Sequence, residues 1–140
     1  MSDFLVGLDK RYSGDDLLSL IKKPYGKRAP EGQFSDYSWG SLAVLQERLA
    51  CNRNIISGDT ATFAWVGDLV LDLPDRFAGV FVNRLTQLQQ VGNDDRVCLE
   101  TDSLFARLNG TFAIVLANAP GFCIVTDPLS FVPVYIGKNK

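Results

Sequence analysis

An α+β fold, with mainly antiparallel sheets packed face to face and helices outside, is what this sequence predicts. Three observations lead there. Helix-type and strand-type segments are interspersed along the chain. The last third reads as consecutive, hairpin-connected strands. Those strand runs are apolar almost throughout instead of alternating, which suits strands covered on both faces, by another sheet on one side and by helices on the other.

The C-terminal runs are Leu108–Ala117, Gly121–Leu129 and Pro133–Ile136, read as three strands. The first two are joined across Asn118-Ala119-Pro120-Gly121, a turn-rich linker. Asp127-Pro128 ends the second, because proline lacks the donor a ladder needs. Asp3–Leu8 reads as a short N-terminal strand. Ser13–Lys23 reads as a helix: cap-type and acidic residues open it, two lysines and Pro24 close it, and Leu17, Leu18, Leu20 and Ile21 give an apolar face. Arg28–Gly32 is a turn and Trp39–Leu45 a strand. Ser57–Thr60 is a turn before a strand over Ala61–Val66 that leads into Gly67-Asp68-Leu69. Asp75–Gln90 is a helix with Phe77, Val80, Phe81, Leu85 and Leu88 at three- and four-residue spacing. Asp94 is a natural N-cap for a further helix reaching Arg107. No internal repeat, low-complexity segment or interdomain linker interrupts the chain, so 140 residues make one domain.

Composition excludes several classes of function. A hydrophobic content of 46% suffices for a sizeable core, and a net charge of −2 provides no broad basic field for nucleic acid or anionic membrane. No apolar run is long enough to span a bilayer, and the N-terminus lacks a cationic signal region with a cleavage site; a soluble, cytoplasmic protein is expected. The cysteines, Cys51, Cys98 and Cys123, are odd in number and far apart, so neither a disulfide framework nor a zinc site is indicated. Cys98 and Cys123 sit in apolar runs as small hydrophobes. The chain has no histidine. That removes Ser-His-Asp and Cys-His catalysis and the commonest metal ligand; neither metal nor cofactor is expected. It leaves the mechanism in which an N-terminal residue attacks and its own α-amine acts as base.

Leu108, Gly110, Phe112, Ala113, Asp127, Pro133 and Tyr135 follow, in order and spacing, the pattern L-x-G-x-F-A, hairpin, D-x-x-G-x-x-P-x-Y, with Ser130 at the glycine. This resembles the class II glutamine amidotransferase domain found in the N-terminal part of asparagine synthetases. Arg28-Ala29-Pro30-Glu31-Gly32 is similar to that family's Arg-Gly-Pro-Asp-Gly turn, and Leu42-Ala43-Val44 and Gly67-Asp68 fall in the corresponding order. The resemblance implies a four-layer αββα sandwich of the N-terminal-nucleophile hydrolase type. It implies a single domain over residues 1–140, C-terminally short of the family domain by at least one returning strand. It also implies a partner: an ATP-dependent synthetase domain, C-terminal or separate, whose Ser-Gly-Gly-x-Asp-Ser loop is absent here.

By the same resemblance, Ser2 stands at the cysteine nucleophile, Gly67 and Asp68 at the oxyanion strand, and Asp94 at the aspartate that holds the glutamine α-amine. Three positions depart from the pattern. Ser2 replaces cysteine, and a hydroxyl is far less acidic than a thiol. Ser41 replaces the arginine that clamps the substrate carboxylate, and offers no charged fork. Val66 replaces the oxyanion asparagine, a loss worth about 10²–10³ in rate. The implied function is a degenerate glutaminase domain without glutamine hydrolysis, acting as a structural or partner-binding part of an amide-forming synthetase. One alternative is a working amidohydrolase that uses Ser2 after Met1 removal, takes glutamine, and clamps it with Arg28, Arg48 or Arg53. The other is an unrelated α+β binding module.

Overall fold

The computed structural model describes residues 3–8, 10–46, 54–57, 61–70 and 108–135. Ser2, Arg48, Cys51, Arg53, the predicted helix over 75–90, Asp94 and Cys98 lie outside them. The described elements are β1 (Phe4–Gly7), α1 (Gly14–Lys22), a 3-10 segment (Lys23–Arg28), β2 (Gly32–Tyr37), β3 (Gly40–Leu45), β4 (Ile55–Ser57), β5 (Ala61–Val70), β6 (Asn109–Asn118) and β7 (Gly121–Thr126). They form a mixed α+β structure with two antiparallel sheets: three strands in the order β1-β3-β2 and four in the order β4-β5-β6-β7.

The helix begins where its cap chemistry puts it. Ser13 and Asp16 form a capping box: the Asp16 N–H donates to Ser13 Oγ at 3.2 Å, and Asp16 Oδ2 accepts from the Ser13 N–H at 2.9 Å. The Ser13 hydroxyl, then its N–H, hold the Asp16 carboxyl below the usual range. Leu17 and Leu18 are buried, but Leu20 is 48% exposed, against the apolar face expected. The reason is angular. At 3.6 residues per turn, Leu20 lies roughly a third of a turn from the line through Leu17, Leu18 and Ile21.

β3, the middle strand of the three-stranded sheet, is buried on both faces. Leu5, Ala43 and Leu45 meet Leu17, Leu18, Ile21 and Tyr25 on the helix side. Leu42 and Val44 meet Ile55, Ala64, Val115 and Ala117 of the other sheet, with Phe4, Val6, Phe122 and Ile124 around them. Register explains the sorting, since Val6 lies opposite Leu42 and Ala64 opposite Val115, so alternate residues share a face. The outer face of the four-stranded sheet is equally apolar, with Phe63, Trp65, Phe112, Ile114, Leu116 and Val125 all buried. Two-sided burial is what the unbroken apolar runs predicted. Cys123 packs on this outer face, and burial pushes its thiol up to about 11, as for an inert small hydrophobe.

Polar contacts stitch the sheets together at one end. Tyr37 Oη lies 3.1 Å from both Thr62 Oγ1 and the Ala117 carbonyl, and Ser35 Oγ lies 3.0 Å from Thr62 Oγ1. Trp39 Nε1 donates to the Asn118 carbonyl at 2.8 Å, and its ring stacks on Tyr37 at 5.1 Å.

Three expectations change. Neither β2 nor β4 has a counterpart in the sequence reading: Gln33, Ser35 and Asp36 hide the alternation of β2, and the three residues of β4 are too few to show one. β5 does not end before Gly67-Asp68 but runs through them to Val70. Residues 133–135 are not a strand: Pro133 has no N–H to donate, and the chain from Asp127 is organised by a side chain, described below. Among the described residues no helix is long and apolar enough to cross a membrane.

Candidate functional site

The resemblance directs attention to the end of the molecule where β1 starts. There the Leu45 N–H donates to the Asp3 carbonyl at 2.8 Å, extending the β1–β3 pairing. Asn54, 3% exposed, joins this edge to the second sheet. Its Nδ2 donates to the Leu45 carbonyl at 3.2 Å and to the Trp65 carbonyl at 3.1 Å, while the Asn54 backbone carbonyl accepts from the Trp65 N–H at 3.0 Å. A buried amide with its donors used this way fixes the spacing of the two sheets. Just beyond Trp65 come Val66, Gly67 and Asp68. The start of β1 and the Gly67-Asp68 stretch of β5 therefore share one end of the molecule.

Gly67 pairs with Phe112 and Asp68 with Thr111. Gly67 has φ +89°, and a Cβ there would stand 2.2 Å from the Thr111 carbonyl oxygen. The Asp68 side chain is exposed. Val66, half-buried opposite Ala113, brings no side-chain donor to the place the resemblance gives to an asparagine.

The chain after β7 closes over this end. Asp127, 3% exposed, accepts through Oδ1 from the Leu129 N–H at 3.0 Å and through Oδ2 from the N–H groups of Phe131 at 3.2 Å and Phe112 at 3.3 Å. Its backbone adds two more bonds, Asp127 N–H to the Phe112 carbonyl and Ser130 N–H to the Asp127 carbonyl. The turn this carboxylate winds up places Ser130 at φ +51°, the one positive-φ residue other than glycine among those described. Val132 Cγ2 would lie 2.9 Å from a Cβ on Gly67, so the turn rests against the β5 glycine.

Serine adopts this left-handed backbone at a cost that glycine would not bear. Ser130→Gly is expected to raise stability by about 0.5–1 kcal/mol, because relief of the left-handed strain exceeds the added unfolded-state entropy. Thermal unfolding of the two forms checks this.

Tyr25 contributes at the same end. Its hydroxyl donates to Asp3 Oδ2. That hydrogen bond first, then burial and the Asp3 charge, push the Tyr25 phenol up to about 12. A raised value means that the interaction stabilises the fold fully below the ordinary phenol range, and that this is lost as pH climbs from about 10 through about 12. The stability gap between the protein and Tyr25→Phe is accordingly expected to be constant near neutrality and to close over that alkaline window, as followed by urea midpoints.

Ser41 is elsewhere. It pairs with Gly7, at the far end of β3 from Leu45, and its Oγ donates to Asp36 Oδ1 at 2.6 Å. Asp36 Oδ1 also accepts from the Gly14 N–H at 2.7 Å, so Ser41 and Asp36 anchor the first turn of α1 to the sheet. Gly67 and Asp68 come together with the β1 end; Ser41 does not join them, and Ser2 and Asp94 fall outside the described residues. The sequence reading missed Asn54, Tyr25 and Asp36. Only the Asn54-Ile55-Ile56 order, a lone amide before an apolar pair, gave a signal for any of them.

No known protein family, curated protein or solved structure matches the chain.

Proposed function

We propose that the chain is a domain of the class II glutamine amidotransferase type that no longer hydrolyses glutamine, and that it serves as a structural or partner-binding element beside an ATP-dependent, amide-forming synthetase. The observation that carries this reading is the turn after β7. Asp127 organises it, and the residue at the glycine of D-x-x-G-x-x-P-x-Y sits at φ +51°, where that pattern requires a glycine-type backbone. Two antiparallel sheets sharing a core agree with the reading. The buried outer face of the four-stranded sheet also agrees, since a covering layer there and α1 on the opposite side would complete a four-layer αββα sandwich. Loss of hydrolysis rests on chemistry: the hydroxyl of Ser2 is a poor stand-in for a thiolate, the Val66 side chain offers no hydrogen-bond donor, and the Ser41 hydroxyl is committed to Asp36.

The test is glutaminase activity of protein beginning at Ser2. Ammonia release no faster than that of Ser2→Ala is expected. Release above background that Ser2→Ala abolishes would show instead a working N-terminal-nucleophile enzyme.

A further inference from the structure

We infer that the 3-10 segment Lys23–Arg28, together with Lys22, is a docking surface for a short acidic segment of a partner protein. Lys22, Lys23, Lys27 and Arg28 crowd into seven residues, and no acidic residue occurs between Asp16 and Glu31. Lys23, Lys27 and Arg28 are exposed. Among the described residues none of the four cations is joined to a carboxylate. The acid that touches the segment, Asp3, is taken up by the Tyr25 hydroxyl.

The segment is also anchored to the fold. Pro24 restricts its start, Gly26 turns it at φ +54°, and Tyr25 packs onto the cluster of Leu17, Leu18, Ala43 and Leu45. Cations displayed on an anchored element have less freedom to lose when a ligand arrives.

Length selects among anions. The six-residue segment bends at Gly26, so the cationic patch is short, roughly 10 Å, close to the screening length of about 8 Å at physiological salt. Beyond that distance an approaching polyanion meets a chain of net charge −2. A long duplex or an anionic bilayer is therefore opposed over most of its extent, whereas a short run of carboxylates meets only the cationic patch. This inference rests on the partner-binding role proposed above and gives it a location. Its test involves no glutamine chemistry, so either can fail alone.

The experiment measures fluorescence anisotropy of a labelled oligo-glutamate peptide with the full chain, at low and at physiological salt. Saturable, salt-sensitive binding is expected, weakened about tenfold or more by Lys27→Glu with Arg28→Glu. The same charge change made before α1, Lys10→Glu with Arg11→Glu, is expected to leave it within about twofold. Circular dichroism verifies folding, and Lys27→Gln with Arg28→Gln replaces the reversal if that variant does not fold. Absence of binding at low salt, equal loss from both double variants, no loss from the Lys27/Arg28 changes, or tighter binding of a DNA duplex or anionic vesicles through these residues would each overturn the inference.

Discussion

Asp127→Ala is expected to lower the free energy of unfolding by about 4 kcal/mol, seen as a fall in the urea midpoint at unchanged slope. The carboxylate is 3% exposed and accepts from three backbone N–H groups, those of Phe112, Leu129 and Phe131. Hydrogen bonds to a charged acceptor contribute about 1.5–3 kcal/mol each, and donors left behind without a partner cost more than an exposed contact would. Water that reaches the Leu129 and Phe131 amides offsets part of the sum, so the figure falls below three full bonds. Asp127→Asn keeps the volume and one acceptor oxygen but turns an NH₂ toward N–H donors, so about half the loss is expected. An alanine variant within about 1 kcal/mol of the parent would mean that the turn holds without its carboxylate.

The second large effect is at Gly67. Gly67→Ala is expected to cost about 3 kcal/mol, from the positive φ and from overlap with the Thr111 carbonyl oxygen. Neither neighbour can give way cheaply. Thr111 belongs to the β5–β6 ladder, which runs unbroken from Ala61 opposite Asn118 to Val70 opposite Asn109, and Val132 belongs to the turn wound on Asp127. Gly121→Ala is the control, because a Cβ there meets nothing within 4 Å; its midpoint should move by no more than about 0.5 kcal/mol. Equal costs at the two sites would show that the close approach at Gly67 relaxes in solution.

Much of the sheet structure was legible because it depends on local, strongly patterned sequence. β6 and β7 are unbroken apolar runs divided by a turn signal, and α1 carries its start and stop within its own residues. β2 escaped notice because it is an edge strand whose polar residues are used: Ser35 reaches Thr62, and Asp36 reaches Gly14 and Ser41. β5 looked as though it ended at Gly67-Asp68, since glycine followed by an acid reads locally as a break; pairing with β6 carries the strand through. The candidate site was legible only in part. Gly67 and Asp68 lie at the β1 end and Ser41 at the other, and sequence order alone says nothing about which end of a strand faces a site. The contacts of Asn54 and of Tyr25 with Asp3 join residues distant in the chain, and no local pattern announces them.

The pairing of β5 with β6 has a kinetic side. Its partners stand on the order of fifty residues apart in the chain, and the first strand of that pair must wait for the second. Loop-closure entropy is lost before any of the ten cross-strand pairs is made. Refolding from denaturant should therefore be slow, on the scale of milliseconds to seconds, with the helix and its three-stranded sheet able to form earlier. During synthesis, β4 and β5 emerge well ahead of the strand that completes them. Their apolar faces are then exposed to whatever the nascent chain meets first, and a chaperone that covered this hairpin would guard it against mispairing.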